Sequence, residues 1–249
     1  MNQLTIGKLP RKDYYVQTEI DRLRVNIGFI GADKKIIVIT SSEPNEGKSY
    51  ISTCIWSELA KAGKKVCMVD ADMRKSVLRN ELRIQTAKKE FEGLSHYLAG
   101  NCEIEDILYE TNIENAYLVP TTTLINPSLL LEGDRLDKLL AFLRESFDYV
   151  IMDTPPLGIV SDGQLIAAKC DGCILVIRAH STSRAAVRNS LLQLERINCQ
   201  LFGTVLNRVE SKRARYYRGY YSKGYYSKAY YYATSATASV KKGENSSKA

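Results

Sequence analysis

A short loop between two patterned segments carries residue types that bind phosphate. It reads Ser42-Glu-Pro-Asn-Glu-Gly-Lys-Ser49, directly after a β-branched run at 36–40 and directly before a stretch of helical character. Backbone N–H groups of such a loop and the positive end of the helix dipole meet phosphate oxygens. Lys48 can reach the β- and γ-phosphates, and the Ser49 hydroxyl can ligate Mg²⁺. The loop therefore predicts a site for Mg-ATP. We assign its contacts to Ser42, Asn45, Glu46, Gly47, Lys48, Ser49 and Tyr50.

The loop departs from the usual phosphate-binding pattern at two positions. The pattern opens with glycine, where this chain has Ser42, and Asn45 replaces a glycine common at that point in related loops. Asn tolerates a positive φ better than most residues. The alternative is a chance Gly-Lys-Ser at a helix start. The flanking strand and helix and two further acidic strand ends argue against it.

Aspartates follow two other apolar runs. Asp153 ends the run at 149–153, where an acid can hold Mg²⁺ directly or through water. Asp70 and Asp72 follow the run at 65–70, where one carboxylate could orient Mg²⁺ and the other accept a proton from an attacking hydroxyl. A helix cap at Asp153 and a plain charged turn at 70–74 are the alternatives. We assign catalysis to Lys48, Asp70, Asp72 and Asp153, and metal binding to Ser49, Asp70 and Asp153.

The last 39 residues differ from the rest in composition. They carry nine Lys or Arg and one acid, a net +8 that leaves −1 for residues 1–210 out of the chain's +7. They also hold nine of the 16 tyrosines, interleaved with Gly, Ser, Arg and Lys. The segment has too few aliphatic side chains to bury, so we predict a disordered tail at 211–249 after a single nucleotide-binding domain at 1–210. A sticky tail that binds lipid or nucleic acid is the alternative. The candidate phosphorylation sites are Tyr216, Tyr217, Tyr220, Tyr221, Tyr225, Tyr226, Tyr230, Tyr231 and Tyr232.

The elements that must position the loop and the acids alternate between strand and helix. Strands that are apolar throughout, with helices between them, favour an α/β fold with a mostly parallel sheet flanked by helices. Such sheets place ligands at the carboxyl ends of their strands. We expect strands at 36–40, 65–70, 116–120, 149–153, 172–178 and 201–207, and helices at 14–29, 47–62, 93–98, 103–109, 134–146, 162–169 and 183–197.

From the composition we expect a cytosolic protein. No apolar run approaches the roughly 18 residues of a membrane span, and residues 1–10 have no signal-peptide core. The six cysteines are scattered, several inside apolar runs, so we expect reduced, buried thiols. Cys170 and Cys173 match a C-x-x-C spacing but precede a strand, which favours the same interpretation.

The motifs together resemble the bacterial tyrosine kinases (BY-kinases). The resemblance rests on Pro44-x-x-Gly-Lys-Ser49, Val69-Asp-Ala-Asp-Met-Arg74, Ile151-Met-Asp-Thr-Pro-Pro156 and the terminal tyrosine cluster. It is strongest to the cytosolic CpsD/CapB-like autokinases of capsule synthesis and extends from about residue 14 to the tail. It implies a three-layer P-loop NTPase fold and a tyrosine autokinase that uses ATP and Mg²⁺ on its own tail.

The resemblance also implies partners and site residues. Lys48 would contact phosphates, with Arg74 beside the nucleotide, and Asn207 is placed like an asparagine that reads adenine, although a strand-end turn explains it nearly as well. The tail would be phosphorylated in trans within a ring, and a cognate phosphatase would reset it. A separate transmembrane polysaccharide co-polymerase (Wzz-like) would activate the chain and recruit it to the inner face of the plasma membrane. No nucleic-acid partner is expected.

One motif is incomplete, and two other functions stay open. The family's Glu-x-x-Arg-x-x-Arg on the N-terminal helix is met by Glu19 and Arg22, but the second arginine, Arg24, comes one residue early. A ParA/MinD-like ATPase switch is the first alternative. Such loops usually carry a lysine at position 43, where this chain has Glu, and such proteins lack a tyrosine tail. A nucleotide-binding module without activity is the second.

Overall fold

The computed structural model describes residues 2–86, 91–124 and 126–209. The expectation of a disordered tail at 211–249 lies outside the described residues. Eight strands are present in the described part: β1 (Asn2–Leu4), β2 (Ile36–Ser41), β3 (Val66–Asp70), β4 (Tyr109–Thr111), β5 (Ala116–Val119), β6 (Tyr149–Asp153), β7 (Gly172–Arg178) and β8 (Leu201–Asn207).

The strands form one mostly parallel sheet in the order β1-β4-β5-β3-β6-β2-β7-β8. The single antiparallel pair joins β4 to β5, while β3, β6, β2, β7 and β8 run parallel to one another. At the centre, β6 lies between β3 and β2. Because parallel strands end at the same edge of a sheet, this order brings the phosphate loop beside both sets of aspartates. The predicted fold class is confirmed.

Nine helices of the described chain cover the two faces of the sheet. They are α1 (Tyr14–Gly28), α2 (Lys48–Lys61), α3 (Leu78–Glu81), α4 (Leu94–Leu98), α5 (Ile104–Ile107), α6 (Ser128–Leu131), α7 (Asp134–Ser146), α8 (Asp162–Ala167) and α9 (Arg184–Arg196). One core holds α1, α2 and α3 against one face, and a second core holds α4 to α9 against the other. Alternate residues of a central strand supply the two cores, as Ile37 and Val38 of β2 show.

Local chemistry explains where the main helices begin and end. Asp13 caps α1 by accepting the Val16 N–H at 3.0 Å, and Ser183 caps α9 by accepting the Ala186 N–H at 3.1 Å. Gly63, at φ 79°, follows the end of α2. In α7 the four predicted leucines, Leu136, Leu139, Leu140 and Leu143, are all buried.

The sequence periodicity does not predict four short elements, β1, β4, α3 and α6. The stretch predicted as one helix at 103–109 is wrong at its end, because helix α5 stops at Ile107 and strand β4 begins at Tyr109. Strand β1 and helices α3 and α6 were not predicted either. Elements of three or four residues are too short to show a period.

All six cysteines are free thiols, as expected, and five of them are buried. Within the described residues, no helix combines the length and apolar character that crossing a membrane requires.

Candidate functional site

The phosphate loop turns through two left-handed residues. Asn45 has φ 62° and Gly47, which caps α2, has φ 96°. Asn45 therefore adopts the positive φ that asparagine tolerates better than most residues. Glycine is needed at 47, because a Cβ there would lie 2.1 Å from the Asn207 amide nitrogen. Ser42 occupies the position where the usual motif has glycine, and it is 1% exposed. Because its φ is not positive, the backbone at this position does not require glycine.

Lys48, at the first turn of α2, points toward the acids. Its Nζ lies 3.3 Å from Asp72 Oδ2, and both side chains are largely buried. The other Asp72 oxygen accepts the Lys75 N–H at 3.1 Å. The base proposed from the sequence and the phosphate-binding lysine therefore form one ion pair.

Asp153 lies beneath this pair at the end of β6. It is 1% exposed, and its Oδ1 accepts a hydrogen bond from Ser52 at 3.0 Å. Burial raises its pKa to about 6, while Lys48 and hydrogen bonds from Ser49 and Ser52 hold the pKa down. Ser49 and Asp153, assigned to one metal from the sequence, are thus brought together.

Asp70 stands opposite Asp153 in the β3–β6 register. Its Oδ2 accepts the Ser76 hydroxyl at 2.5 Å, and its Oδ1 is buried without a hydrogen-bond partner. Burial and then the neighbouring Asp153 raise the pKa of Asp70 well above its usual range. Two carboxylates buried side by side favour a cation between them.

The donor set fits Mg²⁺ bound together with a triphosphate. Within the described residues, no three His, Cys, Asp or Glu side chains form a ready-made metal cluster. Mg²⁺ does not need one, because it commonly takes one or two carboxylates and completes its shell with phosphate oxygens and water. The unpaired oxygen of Asp70 together with Asp153 and the Ser49 hydroxyl supplies such a partial shell.

Arg74 is tied to a carboxylate that the sequence motifs did not single out. Its guanidinium donates to both oxygens of Asp162, at 2.6 and 3.2 Å, and to Ser128 at 3.2 Å. Ser128 in turn donates to Asp162 at 2.7 Å. Asp162 is 1% exposed at the start of α8, so this ion pair fixes Arg74 beside the acidic cluster. The sequence pattern predicts Asp162 as the first residue of a helix and does not indicate its ion pair with Arg74.

Three further predicted site residues have partners within the protein. The Tyr50 hydroxyl donates to the Arg11 carbonyl at 3.2 Å. Asn207 donates to the Glu46 carbonyl at 2.8 Å, so the residue expected to read adenine also holds the loop. The Glu46 carboxylate accepts the Glu43 N–H of the loop, the Arg178 N–H at the end of β7 and the Thr182 hydroxyl just after it. The nine tail tyrosines lie outside the described residues.

Comparison with known proteins gives this geometry a context. Residues 34–203 match the family model described as an AAA domain. The chain is 38% identical over 195 residues to tyrosine-protein kinase CpsD of Streptococcus agalactiae, covering 78% of this chain and 84% of that one. It superposes on the kinase domain of Escherichia coli tyrosine kinase ETK with a TM-score of 0.70 and 27% identity, over 79% of this chain and 78% of that one.

A septum site-determining protein shares the fold. The septum site-determining protein MinD of Pyrococcus horikoshii, solved with Mg-ADP, has a TM-score of 0.62 and 24% identity over 72% of this chain and 73% of its own. That likeness concerns the fold alone.

Proposed function

Because the chain belongs to the bacterial tyrosine kinases of the CpsD type, we propose that it transfers the γ-phosphoryl group of ATP to tyrosines of its own tail. The observation that carries the proposal is the convergence of three neighbouring strand ends. Lys48 follows β2, Asp153 ends β6 and Asp70 ends β3, and the Lys48–Asp72 distance of 3.3 Å joins the loop to the acids. A site that only bound nucleotide would not require a second acid, Asp72, in contact with the lysine.

The residues take distinct roles in the proposed reaction. The Lys48 ammonium and the loop N–H groups bind the phosphates. Ser49, Asp70 and Asp153 would hold Mg²⁺, which would supply neutralisation of charge on the phosphate oxygens. Asp72 accepts the phenolic proton of the attacking tyrosine. The bond from the tyrosine oxygen to the γ-phosphorus forms as the bond from that phosphorus to the β–γ bridging oxygen breaks, and ADP leaves with that electron pair.

Burial of the acids suits them to this task. Desolvation raises the pKa values of Asp70 and Asp153, and a cation bound between them would lower both by stabilising the ionised carboxylates. Asp72, paired with Lys48, becomes available as a base when Lys48 turns to the phosphates.

We further propose that the tail is phosphorylated in trans between copies of the chain. The exposed Glu19–Arg22 pair on α1, with 2.7 Å between its charged atoms, offers a polar contact for a neighbouring subunit. Phosphorylation of all nine tyrosines would add on the order of −13 to −18 charges to a tail of net +8. That reversal would release the tail from an acidic surface of another subunit and dissolve a ring.

The cellular setting is proposed from the family resemblance. A Wzz-like transmembrane co-polymerase would activate the kinase and hold it at the inner face of the plasma membrane, and a phosphotyrosine phosphatase would reverse its action. The process served would be capsule or exopolysaccharide synthesis. A pull-down of the full chain with the cytosolic segment of that adaptor would test the pairing, and no binding with no stimulation would refute it.

A two-variant mixing experiment tests transfer between subunits. Lys48→Met keeps the tail but loses the phosphate contact, whereas a variant with all nine tail tyrosines changed to Phe keeps the site but loses the acceptors. Each alone should give no phosphotyrosine in the tail with Mg-ATP. Mixed, they should give phosphotyrosine on the Lys48→Met chain only. Transfer in cis would give two results. The mixture would contain no phosphotyrosine, and the wild-type chain would phosphorylate itself at a rate independent of its concentration.

A further inference from the structure

We infer that Thr182 and Ser190, in the segment that follows β7, are positioning residues that hold the phosphate loop in its binding conformation. Thr182 bonds Glu46 of the loop, and Ser190 bonds Ser42. The inference rests on the proposed function, because it supposes that the loop binds a nucleotide. Neither residue belongs to the phosphate-binding motif.

The first contact is centred on the Glu46 carboxylate, which is 2% exposed inside the protein. One of its oxygens accepts the Glu43 N–H at 2.9 Å and so closes the loop on itself. The other accepts the Thr182 hydroxyl and lies 3.3 Å from the Arg178 N–H at the end of β7. The carboxylate therefore joins the start of the loop to a different strand.

The presence of a carboxylate in a loop for a highly charged anion needs a reason. An isolated buried carboxylate would be costly and would repel phosphate. The Glu46 carboxylate accepts hydrogen bonds from three donors, and all three belong to the protein. Its oxygens are therefore occupied by internal contacts. Hydrogen bonds to a charged acceptor are about twice as strong as neutral ones. The carboxylate is thus a strong tether.

The second contact joins the start of the loop to helix α9. Ser190 donates to the Ser42 hydroxyl at 3.0 Å, and both side chains are 1% exposed. Ser42 stands where the usual pattern has glycine, and a glycine could not make this bond. Serine in place of glycine at position 42 thus provides a hydrogen bond that fixes the start of the loop to α9.

The two tethers act where the loop is conformationally demanding. Asn45 and Gly47, on either side of Glu46, both have positive φ, and Asn207 holds the Glu46 carbonyl at 2.8 Å. Even an asparagine, which tolerates a positive φ better than most residues, adopts it at a cost, so contacts from outside the loop stabilise this conformation. A loop that is already ordered before binding loses less conformational entropy when the phosphates bind. Loss of a tether should therefore weaken nucleotide binding.

Titration of Mg-ADP into the full chain by isothermal calorimetry tests this role. Thr182→Val removes the hydroxyl at nearly constant volume, and Glu46→Gln replaces one acceptor oxygen by a donor. Each should raise the Kd by roughly tenfold or more, the range expected for a lost bond to a charged group. The double variant should bind little more weakly than the weaker-binding of the two single variants, because both changes act on the same charge-assisted bond between Thr182 and Glu46. Thr182→Ser should restore wild-type binding.

A matched control separates this role from general stability. Ser181→Ala removes an exposed hydroxyl in the same turn and should leave the Kd unchanged. Ser190→Ala should weaken binding independently of Thr182→Val, with fold-changes that multiply. Urea unfolding without nucleotide reports folding of each variant. Should Glu46→Gln fail to fold, the Thr182 and Ser190 variants carry the test.

Two outcomes would overturn the inference alone. They are wild-type affinity in Thr182→Val, and multiplicative losses in the Glu46–Thr182 double variant. A wild-type chain that binds no Mg-ADP would instead overturn the proposed function and this inference with it.

Discussion

Replacing Asp153 by Asn should stabilise the nucleotide-free protein at neutral pH, although it damages the site. Burial raises the pKa of Asp153 from its ordinary 3.8 to about 6. A group whose folded pKa is raised binds protons more readily in the folded state, so stability is lost as pH rises from about 4 through about 6. Two pKa units correspond to about 3 kcal/mol at pH 7.5, and to only about 1 kcal/mol at pH 4.5. Asn keeps the shape and can still accept from Ser52.

Urea denaturation followed by circular dichroism at pH 4.5 and 7.5 measures both values. Asp153→Asn should exceed wild type by about 3 kcal/mol at pH 7.5, and by about 1 kcal/mol at pH 4.5. Asp134→Asn serves as control, because Lys138 lowers the pKa of that exposed carboxyl and no gain at neutral pH is expected.

Addition of Mg-ADP should narrow the difference in stability between Asp153→Asn and wild type at pH 7.5. At 100 times its Kd the ligand stabilises wild type by about 2.7 kcal/mol, whereas a variant without the metal-binding carboxylate gains less. A less stable Asp153→Asn at pH 7.5 without ligand, or an equal difference at both pH values, would refute the burial argument.

Three further changes test separate parts of the account. Gly47→Ala should abolish Mg-ADP binding in calorimetry, because it combines a positive φ with a Cβ that meets the Asn207 amide. Gly63→Ala, also at positive φ but in open space, should only lower stability, by about 1–2 kcal/mol. Normal binding by Gly47→Ala would contradict this. Asp162→Asn should cost about 2–3 kcal/mol in urea unfolding because Arg74 loses its buried partner, against less than about 1 kcal/mol for the exposed Asp137→Asn; equal losses would count against the buried pair. The variant with nine tail Phe residues should stay assembled with Mg-ATP by light scattering while wild type dissociates, and dissociation of both would refute the charge mechanism.

The central sheet could be predicted because its strands are buried on both faces. The runs at 149–153, 172–178 and 201–207 were predicted with their observed bounds. Continuous apolar residues between helices leave little other choice. Strand β4 could not be found, since its pairing with β1 and β5 is set by the surrounding structure and not by any local period.

The site divides along the same line. Lys48, Asp70, Asp72 and Asp153 could be predicted to lie together because each follows a strand that ends at one edge of the sheet, and the structure brings them together there. Asp162 was missed, since its partner Arg74 lies 88 positions away in the chain. Nothing near Thr182 in the sequence indicates that it meets Glu46, which is brought to it by the adjacency of β2 and β7.

Incubation of the purified full chain with Mg-ATP, followed by mass spectrometry of the tail and an anti-phosphotyrosine blot, measures directly whether the chain phosphorylates its own tail tyrosines. The experiment is run with and without the cytosolic segment of the adaptor, and beside Lys48→Met. We expect phosphate on tail tyrosines of the wild-type chain and none on Lys48→Met. A phosphotyrosine signal that persists in Lys48→Met, or a wild-type chain that binds Mg-ADP but labels no tyrosine under either condition, would contradict the account.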